Sequence, residues 1–195
     1  MTTDLSVNVT NGIVSERASE DPDFDFNNLV TVVSYRDEFT TAAFNNNYGS
    51  TGWDGSWVEV DDANGVNGGN SGAGTGVGNV RISGGRLSLT SNPSTDATGR
   101  EPSLSRSADF SLYNATETVF LEFDYSYTSL NSGDSVVVEV SDDSGANWTA
   151  FPAYTGLTGS GGPISASLNV STLGGTVDDF TGDISIRFRV SNGYT

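Results

Sequence analysis

The sequence has no cysteine, no histidine and no lysine. Without cysteine there are neither disulfides nor thiolate metal sites, and without histidine a zinc site or a His-based triad is excluded. Losing lysine as well leaves few routes to acid-base or covalent chemistry. Proline is scarce at five residues, and methionine occurs only as Met1, which fits an artificial start on a segment cut from a longer polypeptide. No apolar run approaches the roughly 20 residues of a membrane span, and MTTDLSVNVT lacks the basic region and apolar core of a signal peptide. These absences predict a non-enzymatic domain that does not insert into membranes.

Acids, glycine and short alternating segments make up much of what is present. The 25 acidic residues against 8 arginines give a net charge of −17, which repels nucleic acid and anionic membranes and favours divalent cations. Apolar content of 35% in 195 residues suffices for one sizeable core. The 24 glycines, with abundant Asn, Ser, Thr and Asp, suit many short strands joined by tight turns. A cysteine-free acidic β-protein is ordinary for a bacterial surface protein, so an extracellular or cell-surface location is expected.

Period-two patterning is strongest from Thr118 to Val140. Leu121, Phe123, Tyr125 and Tyr127 share one face, and Val136, Val138 and Val140 repeat the pattern beyond Asn131-Ser-Gly-Asp, which predicts an antiparallel pair. Gly84-Gly85 predicts a hairpin between Asn79–Ser83 and Arg86–Thr90. In DISIRFRV, Ile184, Ile186, Phe188 and Val190 alternate with Arg187 and Arg189. Outward Glu122 and Asp124 on one strand and these arginines on another predict neighbouring strands with cross-strand ion pairs. Either the charges are surface complementarity, or Arg187 and Arg189 form a forked site for a carboxylate or acidic sugar. Residues 1–36 read as a tail or the end of a preceding module, with spare strands at Leu5–Val9 and Leu29–Tyr35; residues 37–195 read as the main domain.

Several segments in order carry a resemblance: DEF at Asp37–Phe39, GWDGSWVEVDD, GNVRISGGRLSL, LSRSADFS, VFLEFDYSY, SGDSVVVEVSDDSGANWTAF and ISIRFRVSNGY. Together they resemble the MAM-like and carbohydrate-binding-module-like jelly-roll domains of large bacterial cell-surface and secreted proteins. That resemblance implies an all-β fold, an antiparallel β-sandwich. Such modules usually continue into one more strand, so a closing strand is expected to be missing, supplied by the N-terminal strand, or donated by another chain. Related modules often hold a structural Ca²⁺ near the first strand, which makes Asp37, Glu38, Asp61 and Asp62 the metal candidates. The alternative for those acids is a solvated rim.

Ser141-Asp-Asp-Ser-Gly-Ala-Asn-Trp148 fits S-x-D-x-G-x-x-W, the Asp-box pattern known from sialidases, and as a single copy it is expected to serve as a turn. In that turn Asp143 accepts amide hydrogen bonds, Gly145 takes a positive φ and Trp148 packs beneath. Trp53 and Trp57 are either core anchors or, with Tyr48, a sugar-stacking platform. The expected function is a non-catalytic, calcium-stabilised extracellular module with an adhesive or spacer role beside neighbouring domains. One alternative is a carbohydrate-binding module on a secreted hydrolase, with Tyr48, Trp53, Trp57, Arg187 and Arg189 meeting the glycan. The second is a self-assembling subunit completed by a donated strand.

Overall fold

A computed structural model describes residues 5–10, 33–60, 80–82, 84–89, 102–111, 118–130, 135–151, 159–170 and 182–191. Chain order gives β1 (Leu5–Thr10), β2 (Val33–Asp37), β3 (Asp54–Val60), the short β4 (Val80–Ile82) and β5 (Leu87–Leu89), and β6 (Ser103–Asp109). The long β7 (Thr118–Leu130) is followed by β8 (Ser135–Ser141), β9 (Thr149–Ala150), β10 (Gly159–Asn169) and β11 (Asp183–Ser191). A four-stranded sheet runs β10-β7-β1-β2, a five-stranded sheet runs β3-β6-β11-β8-β9, and β4 and β5 form a separate hairpin. Every pairing is antiparallel. Among the described residues no helix is long and apolar enough to cross a membrane. The all-β class and the antiparallel β-sandwich expected from the sequence are therefore observed.

Alternation puts one face of each sheet inward. Val119, Leu121, Phe123 and Tyr125 of β7 are buried, as are Val136, Val138 and Val140 of β8 and Ile184, Ile186, Phe188 and Val190 of β11. The two sheets meet where Phe123 and Phe188 stack edge to face with centroids 5.3 Å apart. Each such fully buried aromatic contributes on the order of 2–3 kcal/mol of apolar transfer energy. At one end Tyr35 packs on Phe110 and Trp53, and its hydroxyl donates to the Asp109 carbonyl, so the phenol is buried without an unmet donor.

The glycine hairpin forms as expected: Gly84 and Gly85 have φ of 62° and 72°, and Ile82 lies opposite Leu87. Both central residues need positive φ in this turn, which glycine adopts without a Cβ clash.

The expected pairing of the two long alternating strands is not observed. β7 lies in the four-stranded sheet beside β1 and β10, whereas β8 lies in the five-stranded sheet between β11 and β9. Period two identifies the face a strand buries but not the neighbour it bonds. Two apolar faces can meet across a sandwich as readily as they can lie side by side. The proposed neighbourhood of Glu122 and Asp124 with Arg187 and Arg189 fails for the same reason, because β7 and β11 belong to different sheets.

β1 sits between β2 and β7, so the N-terminal strand completes the four-stranded sheet. It pairs with β7 along its length and with β2 from Leu5 to Val9. β2 reaches Asp37, across the boundary that the sequence suggested at residue 36. On its other side β2 is flanked by residues 48–51, where the Tyr48 and Thr51 amides donate to the Arg36 and Ser34 carbonyls. Gly49 makes that approach possible, since a Cβ there would collide with the Ser34 carbonyl oxygen and lie 2.8 Å from the Arg36 nitrogen.

Candidate functional site

Two charged centres gather most of the residues that the sequence singled out. The first lies between the sheets. On β6, Leu104, Arg106 and Ala108 share the inward parity, which carries Arg106 into the core at 3% exposure. Its guanidinium donates to the Asp37 carboxylate at 3.1 Å, to the Asn46 carbonyl at 2.8 Å and to the Gly55 carbonyl at 3.0 Å. The rings of Trp53 and Trp57 flank it at 4.9 and 5.7 Å from their centroids. Gly55, with φ of 84°, lies at the register shift in β3 between Asp54 and Val58. An irregularity of this kind redirects local side chains and backbone carbonyls.

Asp37 ends β2 and is completely buried. One carboxylate oxygen accepts the Phe39 amide at 2.8 Å, and the other accepts the Trp57 indole at 2.8 Å together with Arg106. Burial pushes the Asp37 carboxyl up, against the pull of the Phe39 amide, Trp57 and Arg106. Burial likewise brings Arg106 down to about 10, opposed by Asp37, so the guanidinium keeps its charge at neutral pH. Phe39 is held at a φ of 52°, a conformation uncommon outside glycine, while its ring packs on Trp57 in the core. This centre therefore ties β2, β3, β6 and the 38–52 connection together.

These contacts test the calcium expectation. A calcium ion requires six to eight oxygen ligands at about 2.3–2.6 Å. Both oxygens of Asp37 already accept donors, and the cation beside it is Arg106. Glu38 is paired with Arg36 at 2.9 Å. Asp37 and Glu38 thus do not fit a calcium site, and Asp61, Asp62 and the glycine-rich loop from Ala63 to Gly78 lie outside the described residues. Among the described residues no group of three or more Asp or Glu side chains has a metal-holding arrangement. Asp183 stands near Asp54 and Asp109, and its carboxyl is raised by burial and by those two charges.

The second centre lies on the outer face of the five-stranded sheet. Glu139 of β8 is opposite Arg187 of β11. It accepts Arg187 at 2.7 Å on one oxygen, and Arg189 at 3.1 Å on that oxygen and 2.9 Å on the other. Burial alone would push the Glu139 carboxyl up; the hydrogen bonds from Arg189 and Arg187 and their charges outweigh it and leave it below its ordinary value. The Arg187 guanidinium also lies 4.0 Å from the Trp148 ring centroid. The arginines therefore meet a carboxylate, as the charge-pair reading expected, but the partner is Glu139. Glu122 and Asp124 instead accept from Ser167 and Ser165 on β10.

The Asp-box segment forms the shelf under this centre. The Ser141 hydroxyl donates to Asp143 at 2.7 Å and accepts the Gly145 amide at 2.9 Å, while Asp143 accepts the Asn147 amide at 2.8 Å. Those bonds, led by the Asn147 amide and the Ser141 hydroxyl, lower the Asp143 carboxyl to about 2. Gly145 has φ of 84°, and a Cβ there would meet the Trp148 ring at 3.1 Å. The turn reading of the motif holds in each of these contacts.

Of the remaining candidates, Trp53 and Trp57 are 8% and 3% exposed and stack on each other at 5.9 Å, so they occupy the core. Tyr48 is exposed at 43% and hydrogen-bonds hydroxyl to hydroxyl with Thr40. It is not brought beside Arg187 or Arg189, which belong to the outer face. Arg106 and Glu139 were not among the sequence candidates, although a signal for each exists: Arg106 falls on the apolar parity of LSRSAD, and Glu139 interrupts the valine run SVVVEV. At the inward position of Arg106 a charge demands a buried partner, whereas Glu139 stands on the outer parity between the inward Val138 and Val140. No known protein family, curated protein or solved structure matches this chain.

Proposed function

We propose that this chain is a non-catalytic β-sandwich module of a bacterial extracellular or cell-surface protein, acting as a spacer or adhesive unit between neighbouring domains. One observation supports this reading above the others: the charged side chains buried at both centres are spent on holding strands together. Asp37 and Arg106 close on each other, and Glu139 closes on Arg187 and Arg189. A catalytic site keeps a charged group poised for substrate, and a sugar platform keeps an aromatic face open. Here the indoles beside Arg106 are interior, and Trp148 is covered by Arg187. Net charge of −17 suits a domain that stays soluble outside the cell.

A glycan array spanning neutral and acidic polysaccharides tests this reading, with Tyr48→Ala and Trp148→Ala measured beside the parent chain. No binding above background is expected. Binding by the parent that disappears in a folded Tyr48→Ala variant would replace the spacer role with carbohydrate recognition.

A further inference from the structure

The placement of β1 stands out on grounds separate from the spacer reading. β1 lies inside its sheet, between β2 and β7. Among the described residues β2 reaches the sheet only through β1, and β2 carries Tyr35 and Asp37, two fully or almost fully buried side chains. An inner strand thus supplies the ladder that joins β2 to β7 within the four-stranded sheet. Yet the connection from β1 to β2 runs from residue 11 to residue 32, although adjacent antiparallel strands need only about two to five residues between them. A connection of that length has a contour on the order of 70 Å, enough to reach a neighbouring molecule.

We propose that β1 is an exchangeable strand, and that the slot between β2 and β7 takes β1 from a second copy of this chain. The occupant is specified by the structure itself, because the slot is already filled by this same sequence in a defined register. Ser6 is opposite Glu122 on one side and Arg36 on the other, and Asn8 is opposite Phe120 and Ser34. An exchanged strand makes the same ladder as a self-supplied one, so the two states differ chiefly in the tether and the concentration of chains. The outer side of β2 is lined by residues 48–51, so exchange need not leave that side of β2 open. Reciprocal exchange closes a dimer, and one-way exchange builds a series of copies through the same slot.

The absence of cysteine gives a silent background for the test. Two full-length chains of different tag size, one Ser6→Cys and the other Glu122→Cys, are refolded together at high concentration and then oxidised. Register partners stand roughly 4.5–5.5 Å apart at Cα, within disulfide reach. The expected result is a cross-linked heterodimer at least tenfold above that of a control pair, Ala146→Cys with Glu122→Cys. Asn8→Cys with Ser34→Cys repeats the test on the other wall of the slot. The proposal is overturned if both mixed pairs stay at control level while a Ser6→Cys/Glu122→Cys double variant closes its disulfide within one chain. Failure of both the mixed and the double variants to cross-link would also overturn it, since β1 would then not occupy the slot.

Discussion

The two ionic centres use the same chemistry in opposite surroundings. Asp37 and Arg106 have side chains 0% and 2% exposed, walled by two indoles, whereas Arg187 and Arg189 remain 22% and 20% exposed around Glu139. The inner pair was carried into the core by strand parity and is compensated by backbone carbonyls from two other segments. The outer trio sits on a sheet face, where its arginines keep contact with water. A charge pair in the interior specifies one arrangement of the chain, because any other arrangement leaves a charge buried without a partner. A pair on a sheet face adds cross-strand attraction and is replaceable.

That contrast is broken most severely at Arg106. Replacing Arg106 with Met removes the donors to Asn46 and Gly55 and leaves the Asp37 carboxylate buried without its cation, held by the Phe39 amide, the Trp57 indole and the Asn46 side chain. Loss of one partner of a buried pair costs roughly 3–5 kcal/mol. The double variant Asp37→Asn/Arg106→Met should lose less than the two single losses added together, since the uncompensated charge is gone. Urea unfolding of the four proteins measures the coupling. Additive losses would mean that the inner pair is no more specific than the outer one.

How much of this was legible depends on which property the residues encode. Faces were legible, because Leu121, Phe123 and Tyr125, or Ile184, Ile186 and Phe188, repeat at the strand period. Local turns were legible too, since Gly84-Gly85 and the Ser141 to Trp148 motif fix their geometry within a few residues. Sheet membership was not. The segment from Thr118 to Val140 reads as a hairpin, yet its two halves lie in different sheets, and nothing at period two distinguishes the outcomes. The same gap assigned Arg187 and Arg189 to Glu122 and Asp124 instead of Glu139. Asp37 was singled out as a cation ligand, and its cation is the guanidinium of Arg106, sixty-nine residues along the chain. The trace of that partner in the sequence is an arginine that shares parity with Leu104 and Ala108.

A smaller loss is expected at the outer centre. Glu139→Gln keeps the shape of the side chain and removes its charge, leaving two arginines that can turn toward solvent. The cost should be about 1–2 kcal/mol, with a weaker dependence on salt than the parent shows. A loss as large as that of Arg106→Met would erase the distinction between the two centres. The pH dependence sharpens it further. Glu139 has a folded value below its ordinary 4.5, so its contribution is present above that value and fades as pH falls through the lowered one.

Asp143 gives the smallest and most specific effect, because it acts on the shelf rather than on either centre. Its carboxyl is lowered to about 2 from an ordinary 3.8 by the Asn147 amide and the Ser141 hydroxyl. The unfolded chain therefore binds a proton on this group at a higher pH than the folded one does. Stability contributed by Asp143 is complete above about pH 4 and is lost as pH falls toward about 2. In Asp143→Asn that window should flatten: the variant is less stable than the parent at pH 7, and the difference narrows on acidification. Thermal midpoints of the two proteins between pH 7 and pH 2 measure it. The Trp148 ring should report the same event in its fluorescence, since the turn that carries it also places it under Arg187. A constant difference at every pH would mean that Asp143 holds the turn through its shape alone, and that the charge of this motif is idle.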